Sequence, residues 1–150
     1  MRPGRLAAAC LFACLILALP AQAQGRSHAG DVMLRKINAT RARHGLPSLR
    51  RSRSLRHSSG RFARWLMGHD LFAHRAHVSA SPRFRKLGEA LAMHSGRKPG
   101  VRSTLRRWLG SPVHRAIVLT RAMRWIGVGM SRGRFGGGRA VIWVLQVGKL

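Results

Sequence analysis

Two rhythms of apolar residues run along this chain. Up to about Leu119 they recur at three- and four-residue spacing, which puts one stripe on an α-helix. Beyond that they crowd into β-branched and aromatic runs of the kind that form strands. Met33, Leu34, Ile37 and Thr40 share one side of a helix predicted from Asp31, read as its N-cap, to Arg43, with His44–Gly45 as the glycine stop. "LPSL" follows as an extended connector. A second helix is predicted from Ser52 or Ser54 to Gly68. Leu55, Ser59, Phe62, Ala63 and Leu66 form its inner stripe, and Arg53, Arg56, Arg61 and Arg64 point elsewhere. "GHDLFAH" delivers His74 onto a loop. "RAHVSASPRFRKLG" is expected to be loosely structured, with one helical turn around Pro82–Leu87, and "EALAMHSGRKPG" leads to a helical segment carrying Val101, Leu105, Trp108 and Leu109 on one side. Ser111 reads as the N-cap of a short helix ending at Leu119, and Pro112 as its first residue, where a missing N–H costs nothing.

Past that helix, "WIGVGMS" and "AVIWVLQVG" read as two strands joined by the hairpin loop "RGRFGGG". Those glycines are not a phosphate cradle, because a strand and not a helix follows them. Helices first and an antiparallel pair last predict a single α+β layered domain without internal repeats.

The first residues have a different character. "MRPGR" is a basic start, "LAAACLFACLILAL" an apolar run short for a bilayer span, and Ala21–Ala23 a small-x-small cleavage site, so residues 1–23 read as a secretory leader. Cleavage near Ala23 predicts a secreted or periplasmic protein, with 24–30 as a flexible lead-in and 31–150 as the folded domain. Cys14 in "LFAC" ranks below this as a lipid-anchored cysteine, because apolar residues continue past it to the better site. Both cysteines, Cys10 and Cys14, lie in the leader, so the domain is expected to hold no disulfide and to rest on its core.

Charge changes the picture of partners but not of fold. The chain has 29 Lys and Arg against 3 Asp and Glu, a formal net charge of +26, and loss of Arg2 and Arg5 with the leader barely alters that balance. Such a surface is drawn to anionic polymers, lipid head groups or, without sequence preference, nucleic acid. The cations are spread along the whole chain. A solvated surface under a bias toward Arg therefore stands ahead of a selected binding face. Arg precedes Trp65, Trp108 and Trp125, a pattern compatible with stacking or interfacial anchoring, although core positions for these tryptophans are the stronger reading. Asn38 heads a glycosylation sequon that sits in mid-helix and is discounted.

Most of the 8 histidines need no special explanation: His28, His44, His57, His69, His77 and His94 fall in the lead-in, at a helix end, on helix two and in loops. His74, Glu89 and His114 stand apart, each at the end of an apolar element, and Glu89 is one of only 3 acids. Arg41, projecting near the apolar side of helix one, is the candidate partner for that carboxylate. His114 sits in a first helical turn, where the dipole disfavours the imidazolium and favours a neutral ligand or base.

The ordered series "INATRARHGLPSL", "LFAHR", "GEALA", "WLGSPVHRAIVL", "WIGVGM" and "VIWVLQVG" resembles the CAP superfamily, which groups cysteine-rich secretory, antigen 5 and pathogenesis-related 1 proteins. The likeness is to its disulfide-free bacterial branch and covers about residues 31–148. The resemblance implies an α–β–α sandwich with a large cleft bearing two histidines and two acids, which in several members hold a divalent metal such as zinc. On this chain His74 matches the first histidine, Glu89 the acid of the Gly-Glu-Asn motif and His114 the second histidine. The fourth position, an acid in eukaryotic members, falls on Ser111, and Ala90 replaces the asparagine. His74, Glu89 and His114 would give zinc three ligands with open positions for water or substrate.

No catalytic residue is assigned: no further carboxylate, thiol or nucleophile elbow is evident. Three readings stay open. The first is an exported, monomeric binding protein whose cleft takes a small molecule or lipid and whose surface associates with anionic envelope polymers or lipids. The second is a metal-assisted hydrolase of an extracellular or cell-wall polymer, and the third a non-specific cationic nucleic-acid or membrane-active protein.

Overall fold

The computed structural model describes residues 21–78 and 80–150. Residues 1–20 of the expected leader, Cys10 and Cys14 among them, lie outside the described residues. The elements run α1 (Ala21–Arg43), β1 (Arg50–Arg51), α2 (Arg53–Gly68), β2 (Lys86–Ser95), α3 (Val101–Gly110), α4 (Pro112–Leu119), β3 (Trp125–Phe135) and β4 (Gly138–Lys149). The strands form one sheet in the order β1-β3-β4-β2, antiparallel except for the short parallel contact of β1 with β3.

Strand alternation gives the sheet two apolar faces. Val141, Trp143, Leu145 and Val147 point to one, with Met33 and Ile37 of α1, Leu105 and Trp108 of α3 and Val118 of α4. Ala140, Ile142 and Val144 point to the other, against Phe62, Ala63, Leu66 and Met67 of α2. The result is a helix–sheet–helix sandwich of the predicted α+β class. Helix α2 comes unusually close to β3, because a Cβ on Gly127 would land on the Leu55–Arg56 backbone and one on Gly129 on the Ser59–Gly60 backbone. Trp108 anchors α3 by donating Nε1–H to the Leu91 carbonyl at 3.0 Å from a buried position.

Several predicted features agree with the structure. Ser52 caps α2, its hydroxyl accepting from Leu55 N–H at 3.2 Å. Gly45, at φ 61°, ends α1, and Pro112 opens α4. Others need correction. Among the described residues helix α1 covers Ala21–Arg43, so residues 24–30 have helical backbone, and Asp31 lies inside the helix and not at its N-cap, paired with Arg51 at 2.8 Å. No helical turn forms over Pro82–Leu87; a turn at Pro82–Arg83 leads directly into β2. Strand β2 was not predicted at all. "EALAM" is built of helix formers, and ten residues of pairing with β4 override that preference. The hairpin is also tighter than read, with only Gly136 and Gly137 in the turn, both at positive φ (54° and 80°), and the flanking arginines in the strands.

Candidate functional site

Register builds the site. Glu89 on β2 lies opposite Gln146 on β4, and both face the α2 layer. Gln146 is fully buried, and its Nε2 donates to Glu89 Oε2 at 2.8 Å. The loop after α2 brings His74 over the sheet edge, with Nδ1 3.0 Å from Glu89 Oε1. The carboxylate side chain is 7% exposed and the imidazole 53%, so the pair joins a buried acid to an accessible ring.

Arg75 closes the inner side. Its guanidinium lies 3.9 Å over the Phe62 ring, and its Nε stands 3.9 Å from Glu89 Oε2, an ion-pair distance beyond hydrogen bonding. Burial lowers the Arg75 pKa, the Glu89 charge opposes that shift and Arg61 adds to it. Arg75 Nε and Nη2 and Gln146 Oε1 are buried without a hydrogen-bond partner among the described residues.

Arg41, the expected partner of Glu89, serves elsewhere. It is fully buried, donating from Nε to the Pro47 carbonyl at 2.9 Å and from Nη1 to those of Val118 and Thr120 at 2.7 and 3.2 Å. A buried guanidinium thus satisfies carbonyls left open at the C-terminal end of α4. Burial lowers its pKa first, and Arg124 and Arg121 lower it further.

His114 enters from the first turn of α4, and its pKa is lowered as anticipated. The causes differ from the expected one: burial comes first and the charge of His74 second. This coupling marks the two imidazoles as electrostatic neighbours. Ser111 joins α3 to α4 as the C-cap of one and the N-cap of the other, and its hydroxyl makes no cap hydrogen bond. Ala90 is fully buried in the core on the opposite face of the sheet from Glu89. Its small side chain therefore takes nothing from the Glu89 network. The polar group there is Gln146, which sequence reasoning missed. Its signal was a lone amide within the apolar run "AVIWVLQV".

The donor set bears directly on the three-ligand zinc centre implied by the resemblance. Both Glu89 oxygens already accept protein contacts, and His74 turns Nδ1 inward to one of them. Among the described residues no group of three or more His, Cys, Asp or Glu is arranged to hold a metal ion. The arrangement can fix the orientation of an imidazole and present its outer nitrogen to a polar ligand.

Away from this site, a groove of about 320 Å³ lies at the far edge of the sheet, between α1, α2 and β3. The Arg-Trp pairs also separate in character. Trp108 is core, Trp65 is 44% exposed, and Trp125 is half-buried with the Arg50 guanidinium 5.4 Å from its ring centre.

The model of the CAP family, described as the cysteine-rich secretory protein family, matches residues 34–147. An outer surface protein from Borrelia burgdorferi superposes with a TM-score of 0.66 at 20% identity, over 81% of this chain and 92% of that one. An extracellular protein containing an SCP domain from Bacillus anthracis gives 0.70 at 19% identity, over 88% of this chain and 44% of that one, so this chain spans less than half of its length. A cysteine-rich secretory protein from Staphylococcus aureus gives 0.57 at 13% identity, over 83% and 40%. At these identities the likeness establishes fold alone. No curated protein matches the chain.

Proposed function

The chain belongs to the CAP family, the cysteine-rich secretory proteins, and from that premise we propose that it is an exported, monomeric binding protein with a polar His/Glu cleft and a cationic exterior that associates with anionic polymers or lipids of the envelope. Export is supported by the leader-like start of the sequence and by neighbours described as outer surface, extracellular and secretory proteins. Cleft recognition rests on one observation: both oxygens of Glu89 are held, by His74 at 3.0 Å and Gln146 at 2.8 Å. A carboxylate so engaged orients the imidazole it holds and is poorly placed to serve as nucleophile or free base. The outer ring nitrogen of His74, the His114 imidazole and the Ser111 hydroxyl then form the polar lining available to a small ligand.

Metal analysis of the purified protein beside a His74→Ala/His114→Ala variant tests this reading. The expected result is no stoichiometric zinc in either. One zinc per chain, lost in the variant together with hydrolytic turnover of a wall polymer, would overturn it in favour of a metal-assisted hydrolase.

A further inference from the structure

We infer that the groove at the β1/β3 edge, remote in the fold from the His/Glu cleft, is the seat of an extended phosphate-bearing polymer. This inference rests on the anionic-polymer half of the proposed function and gives it an address. Gly30 and Gly60 line the 320 Å³ groove without a side chain to fill it, whereas Gly127 and Gly129 on its floor are taken up by the close seating of α2. Its rim carries Arg51, Arg56, His57 and Arg64 against one acid, Asp31, which Arg51 already engages at 2.8 Å. Arg64 leans over the groove, its Nη1 3.7 Å from where a Cβ on Gly60 would stand.

The floor adds backbone polarity. The Ile126 carbonyl accepts from Ser52 N–H, so Ile126 faces β1, and by alternation Val128 and Met130 face the same side. Strand β1 ends at Arg51, and among the described residues no strand pairs with those two residues there. Forked guanidiniums suit phosphate oxygens spaced along a chain, and of the backbone groups at this edge the N–H donors can add to them, the Val128 carbonyl being turned toward Gly30 of α1.

Diffuse surface attraction is the competing explanation, and charge-matched variants separate the two. Binding of long-chain inorganic polyphosphate to the full chain is measured against salt. The variants are Arg56→Gln/Arg64→Gln in the groove and Arg102→Gln/Arg106→Gln on the exposed face of α3, which carry the same net charge. The groove pair should lose about tenfold in affinity and about two units of salt slope, one for each contact removed, with the α3 pair close to wild type. Equal losses in the two pairs would overturn the groove while leaving general polyanion association intact. Gly60→Leu changes no charge and has room on α2, so it should weaken polyphosphate binding by filling the groove, and unchanged affinity would also overturn the inference. Anionic vesicles should not register Gly60→Leu, since a flat surface does not enter the groove. A matching loss on vesicles would assign the groove to head groups and overturn the polymer.

Discussion

Single side chains set both a firm and a pH-sensitive feature of this molecule. Arg41 joins the end of α1 to the end of α4 through carbonyls of Pro47, Val118 and Thr120. Replacing it with Met keeps much of the volume and relieves the desolvation of a charge, but leaves the buried carbonyls of Val118 and Met123 without their donor at roughly 1–3 kcal/mol each, with a smaller loss at the part-buried carbonyls of Pro47 and Thr120. The stranded carbonyls outweigh the relief, so Arg41→Met should cost about 3 kcal/mol or more in urea denaturation. A loss under about 1 kcal/mol would mean that water replaces the guanidinium. His114 acts in the opposite sense. Burial and the neighbouring His74 hold its pKa below the ordinary 6.5, so the unfolded chain takes up a proton first as pH falls. Stability from this residue is present above about pH 6.5 and declines through the window down to its lowered pKa. Unfolding free energy measured from pH 7.5 to 5 should fall less steeply in His114→Gln than in wild type, and parallel slopes would contradict the assignment. The sequence showed that His74, Glu89 and His114 differ from the other polar residues, but it could not show their partners. Arg41 projects from an apolar stripe just as a cleft residue would, and only the fold reveals that carbonyls surround it. Gln146 looked like an interruption in a strand until register set it across from Glu89.

At the scale of elements, the close seating of α2 on β3 fixes the depth of the α2 layer and hence the level at which Phe62 supports Arg75. A methyl at Gly129 would collide with backbone at Ser59–Gly60, which cannot rotate away as a side chain could. Gly129→Ala should therefore cost about 3 kcal/mol, at the upper end of overpacking penalties, and lower the melting temperature accordingly. A variant as stable as wild type would show that the helix can lift at little cost. Legibility also divides by element. Helix α2 and the C-terminal hairpin were readable because propensity, periodicity and capping agree in them, Ser52 capping the one and Gly136–Gly137 turning the other. Strand β2 was not, since a segment of Ala, Leu, Met and Glu becomes a strand only through its register with β4. The carboxylate at the heart of the site lies on that unread strand, so the site could be named from the family resemblance before its geometry could be derived.

For the molecule as a whole, charge of one sign is the dominant long-range force. Against 29 cationic side chains there are 3 acids, and all are committed: Asp31 to Arg51, Asp70 to the Gly136 N–H at 3.0 Å, and Glu89 to His74 and Gln146. Arginines such as Arg53, Arg56, Arg102 and Arg106 are exposed, and none of them has an ion-pair partner among the described residues. Folding gathers these charges to within a Debye length of one another, while the expanded chain holds them apart, so repulsion weighs on the native state. A protein stabilised by surface ion pairs loses stability when salt screens them; here screening removes a penalty, and the sign reverses. The melting temperature should rise as NaCl increases from about 20 to about 300 mM, with most of the gain below about 100 mM, where the screening length shortens most. Long-chain polyphosphate at far lower concentration should produce a comparable rise, because a bound polyanion neutralises many sites at once and binds the folded state preferentially. A melting temperature that is flat or falling over that salt range would mean that the arginines are neutralised from within, and the electrostatic case for an anionic partner would go with it.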